Sequence, residues 1–194
     1  MNAFPDSIGI GDVNLQARFG MVKPSLTFES AKKLYDVVER NRTEFAKWFH
    51  WVNFVGAPED EFAQLKSIAD PTTCKYLLVR QDTGDIVGNV GVVEQSQINC
   101  MAEIGYWLDA GVRGQGLMTR AVQSIENLLF ERHGVRRIQI RAAVENMPSR
   151  KVAQRLGYTE EGILRQAEQN AFGQFQDIVV YSKLKSEWER EKEI

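Results

Sequence analysis

The stretch Ile104-Gly-Tyr-Trp-Leu-Asp-Ala-Gly-Val-Arg-Gly-Gln-Gly-Leu-Met-Thr119 decides the fold of this chain. Its pattern predicts a strand, then a turn punctuated by Gly111, Gly114 and Gly116, then the first residues of a helix. The glycines allow the backbone to approach a ligand closely. The start of the helix offers unpaired N–H groups and the positive end of the helix dipole. The stretch therefore predicts a receptor for phosphate oxygens.

The composition is that of a single globular domain, expected to span 1–194. Of the 194 residues, 43% are hydrophobic and 26% are charged, which suffices to bury about 70% of the unfolded surface. The net charge of −2 gives no electrostatic case for nucleic acid or an anionic membrane. No apolar run reaches about 18 residues, and the first residues lack the pattern of a signal peptide.

The cysteines and histidines do not suggest a metal site or a disulfide scaffold. Cys74 and Cys100 form no CxxC motif and have no histidine nearby, so two buried thiols in a reducing cytosol are expected. We therefore expect a cytoplasmic protein. Seven basic residues lie close together in sequence and predict either a local basic patch or a solvated face: Arg132, Arg136, Arg137, Arg141, Arg150, Lys151 and Arg155.

Hydrophobic periodicity predicts an α/β (α+β) chain with a mixed, mostly antiparallel sheet of six to seven strands, flanked by helices on both faces. Three hairpin-connected strands precede a strand–helix–strand crossover. The predicted elements are a loose lead-in (1–14), a strand (15–19), two helices before residue 70, strands at 75–79, 86–93 and 102–108, a helix ending at His133-Gly134, a strand (137–144), a helix to Leu156, strands at 162–169 and 176–184, and a charged helical tail (186–194).

Two common phosphate-binding loops do not match the glycine turn. A Walker A loop needs Gly-Lys-Ser/Thr after its spacer, whereas Gly116 is followed by Leu117 and Met118. A dinucleotide fingerprint needs a third glycine or alanine where Thr119 stands, and it belongs to the first strand–helix turn of a parallel sheet.

Three motifs carry a family resemblance. Arg113-Gly-Gln-Gly-Leu-Met118 resembles the (Gln/Arg)-x-x-Gly-x-(Gly/Ala) pyrophosphate loop of the GNAT acetyltransferase superfamily, with Met118 in place of the usual small residue. Asn146-Met-Pro-Ser149, followed by Leu156-Gly-Tyr158, resembles the next strand–helix unit of that superfamily. Leu164-Arg-Gln-Ala-Glu168, with Gly173 and Asp177-Ile-Val-Val-Tyr181, is similar to the end of its ribosomal-protein N-terminal acetyltransferase branch.

The resemblance implies an N-acetyltransferase that takes acetyl-CoA as cosubstrate and transfers the acetyl group directly, without metal. The pantetheine arm would pair with the open edge of the strand 104–108, and an N–H near Leu108 would stabilise the oxyanion. The residues expected to bind coenzyme A are Ile104, Trp107, Leu108, Arg113, Gly114, Gln115, Gly116, Leu117, Met118, Thr119, Asn146 and Ser149.

The same resemblance supplies the catalytic candidates. Glu168 is the first candidate for the general base and Glu103 the second, because many superfamily members place a base on that earlier strand. A protein α-amine has a pKa near 7.7–8.0, so its deprotonation at pH 7 costs about 1 kcal/mol and needs only a modest base. Ser149 is the candidate acid for the leaving thiolate, since Ala153 stands where much of the superfamily has a tyrosine. A helix-capping role remains the alternative for Asn146 and Ser149.

The acceptor is the least determined part of the prediction. Trp48 and Trp51, expected three residues apart on one helix, would either wall the acceptor site or belong to the core. The resemblance favours a ribosomal protein N-terminus and a homodimer. A small amine such as a polyamine or an aminoglycoside is the enzymatic alternative, for which Glu59, Asp60 and Glu61 would supply an acidic pocket. A non-catalytic acyl-CoA-binding module is the other alternative.

Overall fold

The computed structural model describes residues 4–68 and 74–193, with the side chains of 66–68 excepted, and its core is an eight-stranded mixed sheet in the order β1-β2-β3-β4-β5-β6-β8-β7. The strands are β1 (Ser7–Ile8), β2 (Phe19–Val22), β3 (Lys75–Arg80), β4 (Ile86–Ser96), β5 (Met101–Leu108), β6 (Arg137–Ala143), β7 (Thr159–Gln169) and β8 (Phe175–Leu184). The helices are α1 (Val13–Gln16), α2 (Phe28–Phe45), α3 (Pro58–Ile68), α4 (Leu117–Arg132), α5 (Met147–Arg155) and α6 (Lys185–Lys192).

The fold class and the crossover are confirmed. Every pair of neighbouring strands is antiparallel except β5 and β6, which are parallel and connected through α4. The parallel pairing covers only three register positions, from Met101↔Arg137 to Glu103↔Gln139. Beyond Glu103 no pairing between β5 and β6 occurs in the described chain, so the sheet opens at its centre.

The two faces of the sheet bury separate hydrophobic clusters because strand side chains alternate. On β3, Leu78 belongs to the large cluster that contains α4 and α5, whereas Leu77 belongs to a smaller cluster with α2 and Leu65 of α3. Helices therefore cover both faces, as predicted, and the central opening connects the α2/α3 side with the α4/α5 side.

The N-terminal segment differs from the prediction. Instead of a strand at 15–19, Asp12 caps the single-turn helix α1 by accepting a hydrogen bond from the Leu15 N–H at 3.1 Å, and the strand begins at Phe19. Residues 4–14 are not a loose lead-in, since Phe4 and Ile10 are buried in the large cluster. The short strand β1 raises the strand count from the predicted six or seven to eight.

Local signals at several element ends are confirmed. Gly134 and Gly157 take positive φ at the predicted helix ends. Thr27 caps α2 by accepting from the Ser30 N–H at 3.1 Å, and Gly84 takes positive φ in the hairpin between β3 and β4. The charged tail is helical and anchored by buried Trp188. Of the two free cysteines, Cys74 is buried as expected but Cys100 is only partly buried.

Candidate active site

A cleft of about 1220 Å³ runs through the opening between β5 and β6 and is lined from both faces of the sheet. All the predicted site residues line it except Gln115: Trp48, Trp51, Glu103, Ile104, Trp107, Leu108, Arg113, Gly114, Gly116, Leu117, Met118, Thr119, Asn146, Ser149 and Glu168. Of these, Ile104, Leu117 and Met118 are buried in the core, so only their backbone groups are well placed for a ligand.

The edge of β5 that faces the opening has free backbone groups. The Asp109 N–H donates to the Val87 carbonyl at 2.8 Å, and the register pairs Gly88 with Leu108. Antiparallel pairing alternates, so the odd-numbered residues bond to β4 while Tyr106 and Leu108 direct their N–H groups toward β6. Because β6 has already diverged there, those groups are available to an extended amide chain.

The glycine turn has the geometry of an anion receptor. Gly114 and Gly116 both have φ of +78°, and α4 begins directly afterwards at Leu117. The first intrahelical bond runs from the Arg120 N–H to the Gly116 carbonyl, which leaves the N–H groups of residues 117–119 without intrahelical acceptors. A Cβ on either glycine would meet no protein atom within 4 Å, so the turn needs these glycines for their positive φ, and the space beside them is available to a ligand.

Helix α2 fixes the start of this turn, a connection that the sequence did not reveal. The Asp109 carboxylate accepts the Gly111 N–H at 2.9 Å and pairs with Arg40. The buried Asn41 side chain accepts the Ala110 N–H at 3.0 Å. Burial would raise the pKa of Asp109, but the Gly111 hydrogen bond and Arg40 outweigh it and lower that pKa. These contacts join residues about 70 positions apart, so no local pattern could have indicated them.

Two carboxylates, one from β5 and one from β7, meet at a guanidinium on β6. Arg141 pairs with Glu168 at 2.7 Å and lies 3.9 Å from Oε2 of Glu103. Gln139 donates to the same oxygen, Oε2, of Glu103 at 2.7 Å. Burial raises the pKa of Glu103, Gln139 and Arg141 partly offset this, and the nearby charge of Glu168 raises it further. Both predicted base candidates thus lie in one cluster, but Glu103 is largely buried and Glu168 is not.

A β-bulge presents Glu168 to the cleft. The register of β7 against β8 shifts between Leu164↔Ile178 and Glu168↔Gln176. Within the bulge, Gln166 has φ of +51° and its N–H donates to the Asp177 carboxylate at 2.8 Å. A bulge re-aims the side chains that follow it, so Asp177 and Gln166 determine where Glu168 points. The sequence motif contained both residues but did not indicate this role.

The predicted acid Ser149 lies in the first turn of α5. Asn146 is the N-cap and accepts the Ser149 N–H at 3.3 Å, so the capping role belongs to Asn146 and not to Ser149. The Ser149 hydroxyl lies 3.3 Å from the Tyr106 hydroxyl, which donates to the Ser149 carbonyl at 3.0 Å. Burial raises the pKa of Tyr106 to about 12, so Tyr106 stays protonated. Its partnership with Ser149 spans 43 residues and was not predicted.

The aromatic wall differs from the prediction in its secondary structure. Helix α2 ends at Phe45, and Trp51 belongs to a separate 3₁₀ turn over His50–Phe54, so Trp48 and Trp51 do not share one helix. Trp51 stacks on Phe49 with ring centroids 5.7 Å apart, and the Trp48 indole N–H donates to Glu44 at 3.2 Å. Both tryptophans are half-buried and line the cleft on the α2/α3 side.

The basic cluster in the sequence divides into two groups in space. Arg137 and Arg150 form ion pairs with Glu161 and Glu160, at 2.5 Å and 3.4 Å. Lys151 and Arg155, by contrast, line the cleft on α5 and form no ion pair within the described residues. Arg120, on the first turn of α4, lines the same cleft. Three cationic side chains thus line the cleft from α4 and α5.

The part of the chain that the structure describes contains no candidate metal site and no candidate membrane span. Over residues 4–68 and 74–193, no group of three or more His, Cys, Asp or Glu side chains is arranged to hold a metal ion. Within the same ranges, no helix is both long enough and apolar enough to cross a bilayer.

Comparison with known proteins agrees with the architecture. The family model of the acetyltransferase (GNAT) domain matches residues 25–159. YdaF of Bacillus subtilis (strain 168) is 30% identical over 169 residues, which cover 84% of this chain and 91% of that protein. The ribosomal-protein-serine acetyltransferase of Escherichia coli (strain K12) is 30% identical over 140 residues, covering 71% and 78%.

Solved structures show the same similarity. The microcin C7 self-immunity acetyltransferase MccE, crystallised in complex with acetyl-CoA and AMP, superimposes with a TM-score of 0.80 and 27% identity. The match covers 94% of this chain and 98% of MccE. The family match and these relatives place the chain in the class of acetyl-CoA-dependent acyltransferases. The chain belongs to the GNAT acetyltransferase family.

Proposed function

We propose that this protein transfers an acetyl group from acetyl-CoA to the N-terminal α-amine of a protein, with a ribosomal protein as the favoured acceptor. The observation that carries the proposal is the convergence of three features on one cleft. These are the unpaired N–H groups of the glycine turn, the open edge of β5 and the carboxylate pair around Arg141.

The cleft fits coenzyme A by its chemistry. The free N–H groups of residues 117–119 and the dipole of α4 suit a pyrophosphate. Arg120, Lys151 and Arg155 line the cleft from α4 and α5 and suit a further phosphate. The edge groups of Tyr106 and Leu108 suit the amides of the pantetheine arm. Acetyl-CoA supplies the activated acetyl thioester.

In the proposed mechanism Glu168 accepts the proton of the attacking amine, directly or through a water. Glu168 pairs with Arg141 at 2.7 Å, and a weak base suffices for an α-amine with a pKa of about 7.7–8.0. The Leu108 N–H stabilises the oxyanion. Ser149, hydrogen-bonded to Tyr106, returns a proton to the leaving thiolate. Glu103, whose pKa is raised, is the rival base.

The names of the relatives favour a protein acceptor. The E. coli relative is named as a ribosomal-protein-serine acetyltransferase. The cleft extends to the α2/α3 side, where half-buried Trp48 and Trp51 line it. A small-amine acceptor is the alternative, and the buried Glu61 in this part of the cleft keeps it in consideration.

The test is a turnover assay that follows thiol release from acetyl-CoA. The acceptors are peptides that begin with serine or alanine, the same peptides with a blocked N-terminus, polyamines and aminoglycosides. We expect turnover with the free peptides and none with the blocked ones. Turnover with small amines alone would show that the acceptor is a small amine. Binding of coenzyme A without any turnover would indicate a binding module.

We also propose that the protein is a cytoplasmic homodimer. Every residue of β7, at the edge of the sheet, is exposed, and Ile163, Leu164, Phe172 and Phe175 present apolar side chains there at 47–63% exposure. Exposed apolar surface at a sheet edge favours pairing with another chain. Sedimentation of the wild type and of Ile163→Lys tests this, with a monomer expected for the variant.

A further inference from the structure

The acceptor side of the cleft contains a carboxylate without a partner. Glu61 is only 3% exposed and lines the cleft together with Leu34 and Asn89. Within the described residues it forms no hydrogen bond and no ion pair. Its neighbours in the chain behave differently, since the Asp60 carboxylate accepts the N–H groups of Gly56 and Ala57 at 2.8 and 2.9 Å, and Glu59 is exposed.

A buried ionised carboxylate is costly unless it is paired. Burial, together with the adjacent charge of Asp60, raises the pKa of Glu61 to about 7, so above neutrality the group is ionised and still lacks a counter-ion. Lys75 lines the same cleft but makes no ion pair with it. The position at the start of α3 supplies a favourable dipole but no hydrogen bond. A cationic group that enters the cleft would complete this site.

The position of Glu61 separates it from the reacting centre. Leu65, one turn further along α3 on the same face, packs with Leu77 of β3 and Ile86 of β4. Arg141, which holds the catalytic carboxylates, lies on β6. Paired neighbouring strands are about 4.8 Å apart, and β4 and β6 are two strand intervals apart across the opening of the sheet, so these positions are separated by at least roughly 10 Å. That is about three residues of extended chain.

We propose that Glu61 binds a second cationic group of the acceptor, a lysine or arginine side chain within about the first four residues of the acetylated N-terminus. This inference rests on the proposed function and names a specificity determinant for it. The reacting α-amine would meet Glu168 while the basic side chain would pair with Glu61, so one acceptor would bridge both carboxylate positions.

The test compares matched peptides at pH 8. Serine-initiated peptides carry either lysine or norleucine at position 2, 3 or 4, which changes the charge but keeps the linear stem. For the wild type we expect at least one lysine peptide to have a kcat/KM about 10-fold above its norleucine partner. We expect Glu61→Gln to abolish that preference and Glu59→Gln, the exposed control on the same helix, to keep it.

A binding measurement supplies a readout that does not depend on turnover. Calorimetry with coenzyme A present and N-terminally blocked peptides should show the same lysine preference, again lost in Glu61→Gln. Equal kcat/KM for lysine and norleucine peptides, or a preference that survives in Glu61→Gln, would overturn the inference and leave the proposed function standing. If no peptide is acetylated, the proposed function fails. Linear diamines compared with monoamines of equal length then test Glu61, and equal turnover of the two would overturn the inference as well.

Discussion

Arg141 and Glu168 form an ion pair of 2.7 Å at the centre of the cleft, with Glu103 on the other side of the same guanidinium at 3.9 Å. The pair joins β6 to the edge strand β7 through the bulge at Gln166. Glu168 is the more exposed of the two carboxylates, at 45% against 14%, and burial raises the pKa of Glu103. One cation thus sets two carboxylates of different burial beside the opening of the sheet.

The assignment of the base leads to the first prediction. Glu168→Gln should lower kcat/KM at pH 7 by about 100-fold, the lower end of the range for general-base catalysis. The loss should shrink as pH rises toward 9, because the α-amine then deprotonates by itself. Glu103→Gln is the matched control and should cost less than about 5-fold. A full pH profile of both variants measures this, and the reverse ranking would make Glu103 the base.

The contact between Tyr106 and Ser149 leads to the second prediction. Ser149→Ala removes the proposed acid and should reduce kcat by about 100-fold. Tyr106→Phe removes only the hydroxyl that orients Ser149 and should reduce kcat by about 10-fold, the effect of one lost hydrogen bond. KM for acetyl-CoA should change little in Tyr106→Phe. Equal kcat for Tyr106→Phe and wild type would remove the tyrosine from the mechanism.

Backbone conformation at the glycine turn gives a third prediction with an internal control. Gly116 and Gly134 lie at the two ends of α4, both have positive φ, and neither has a neighbour that would block a Cβ. Alanine at either position should cost about 1 kcal/mol of stability. Only Gly116→Ala should weaken coenzyme A binding, by about 10-fold, because only there would relaxation of the strained φ move the N–H groups of the turn. Calorimetric titration and thermal denaturation separate the two effects.

The buried carboxylate gives a fourth prediction, on stability. The pKa of Glu61 is about 7 in the folded protein against an ordinary 4.5. The free energy of unfolding is therefore highest, with respect to this group, below about pH 4.5, and it falls as pH rises through 7. The difference of about 2.5 units amounts to roughly 3 kcal/mol. Glu61→Gln should therefore raise Tm by about 5–10 °C at pH 8 and much less at pH 5.

Glu59→Gln serves as the control for that measurement, because Glu59 is exposed on the same helix and its replacement should leave Tm unchanged at both pH values. If the Tm of Glu61→Gln equals that of the wild type at pH 8, then Glu61 in the free protein is either neutral or already paired, which contradicts the prediction. We expect the Glu61→Gln variant to be more stable than the wild type but less selective among acceptors. That combination is typical of a binding residue whose presence lowers the stability of the fold.

The sequence by itself determined the local chemistry. Backbone preferences and helix capping act over a few residues, so they can be predicted with their positions. They predicted the glycine turn before a helix, the short helix that begins at Asn146 and the hairpin between the strands 75–79 and 86–93. Periodicity also predicted the order of most elements along the chain and the crossover, but not the position of β8 between β6 and β7. It failed at residues 7–19, because a two-residue strand and a one-turn helix are too short to have a period.

Only the tertiary structure decided which side chains meet. The joining of Glu103 and Glu168 through Arg141, the contact of Tyr106 with Ser149, and the anchoring of the glycine turn by Arg40 and Asn41 link residues that are tens of positions apart. Sequence patterns report distances along the chain, whereas charge pairing and burial depend on distances in space. The raised pKa values of Glu103 and Glu61 arise mainly from burial, which exists only once the sheet and its helices have assembled around them.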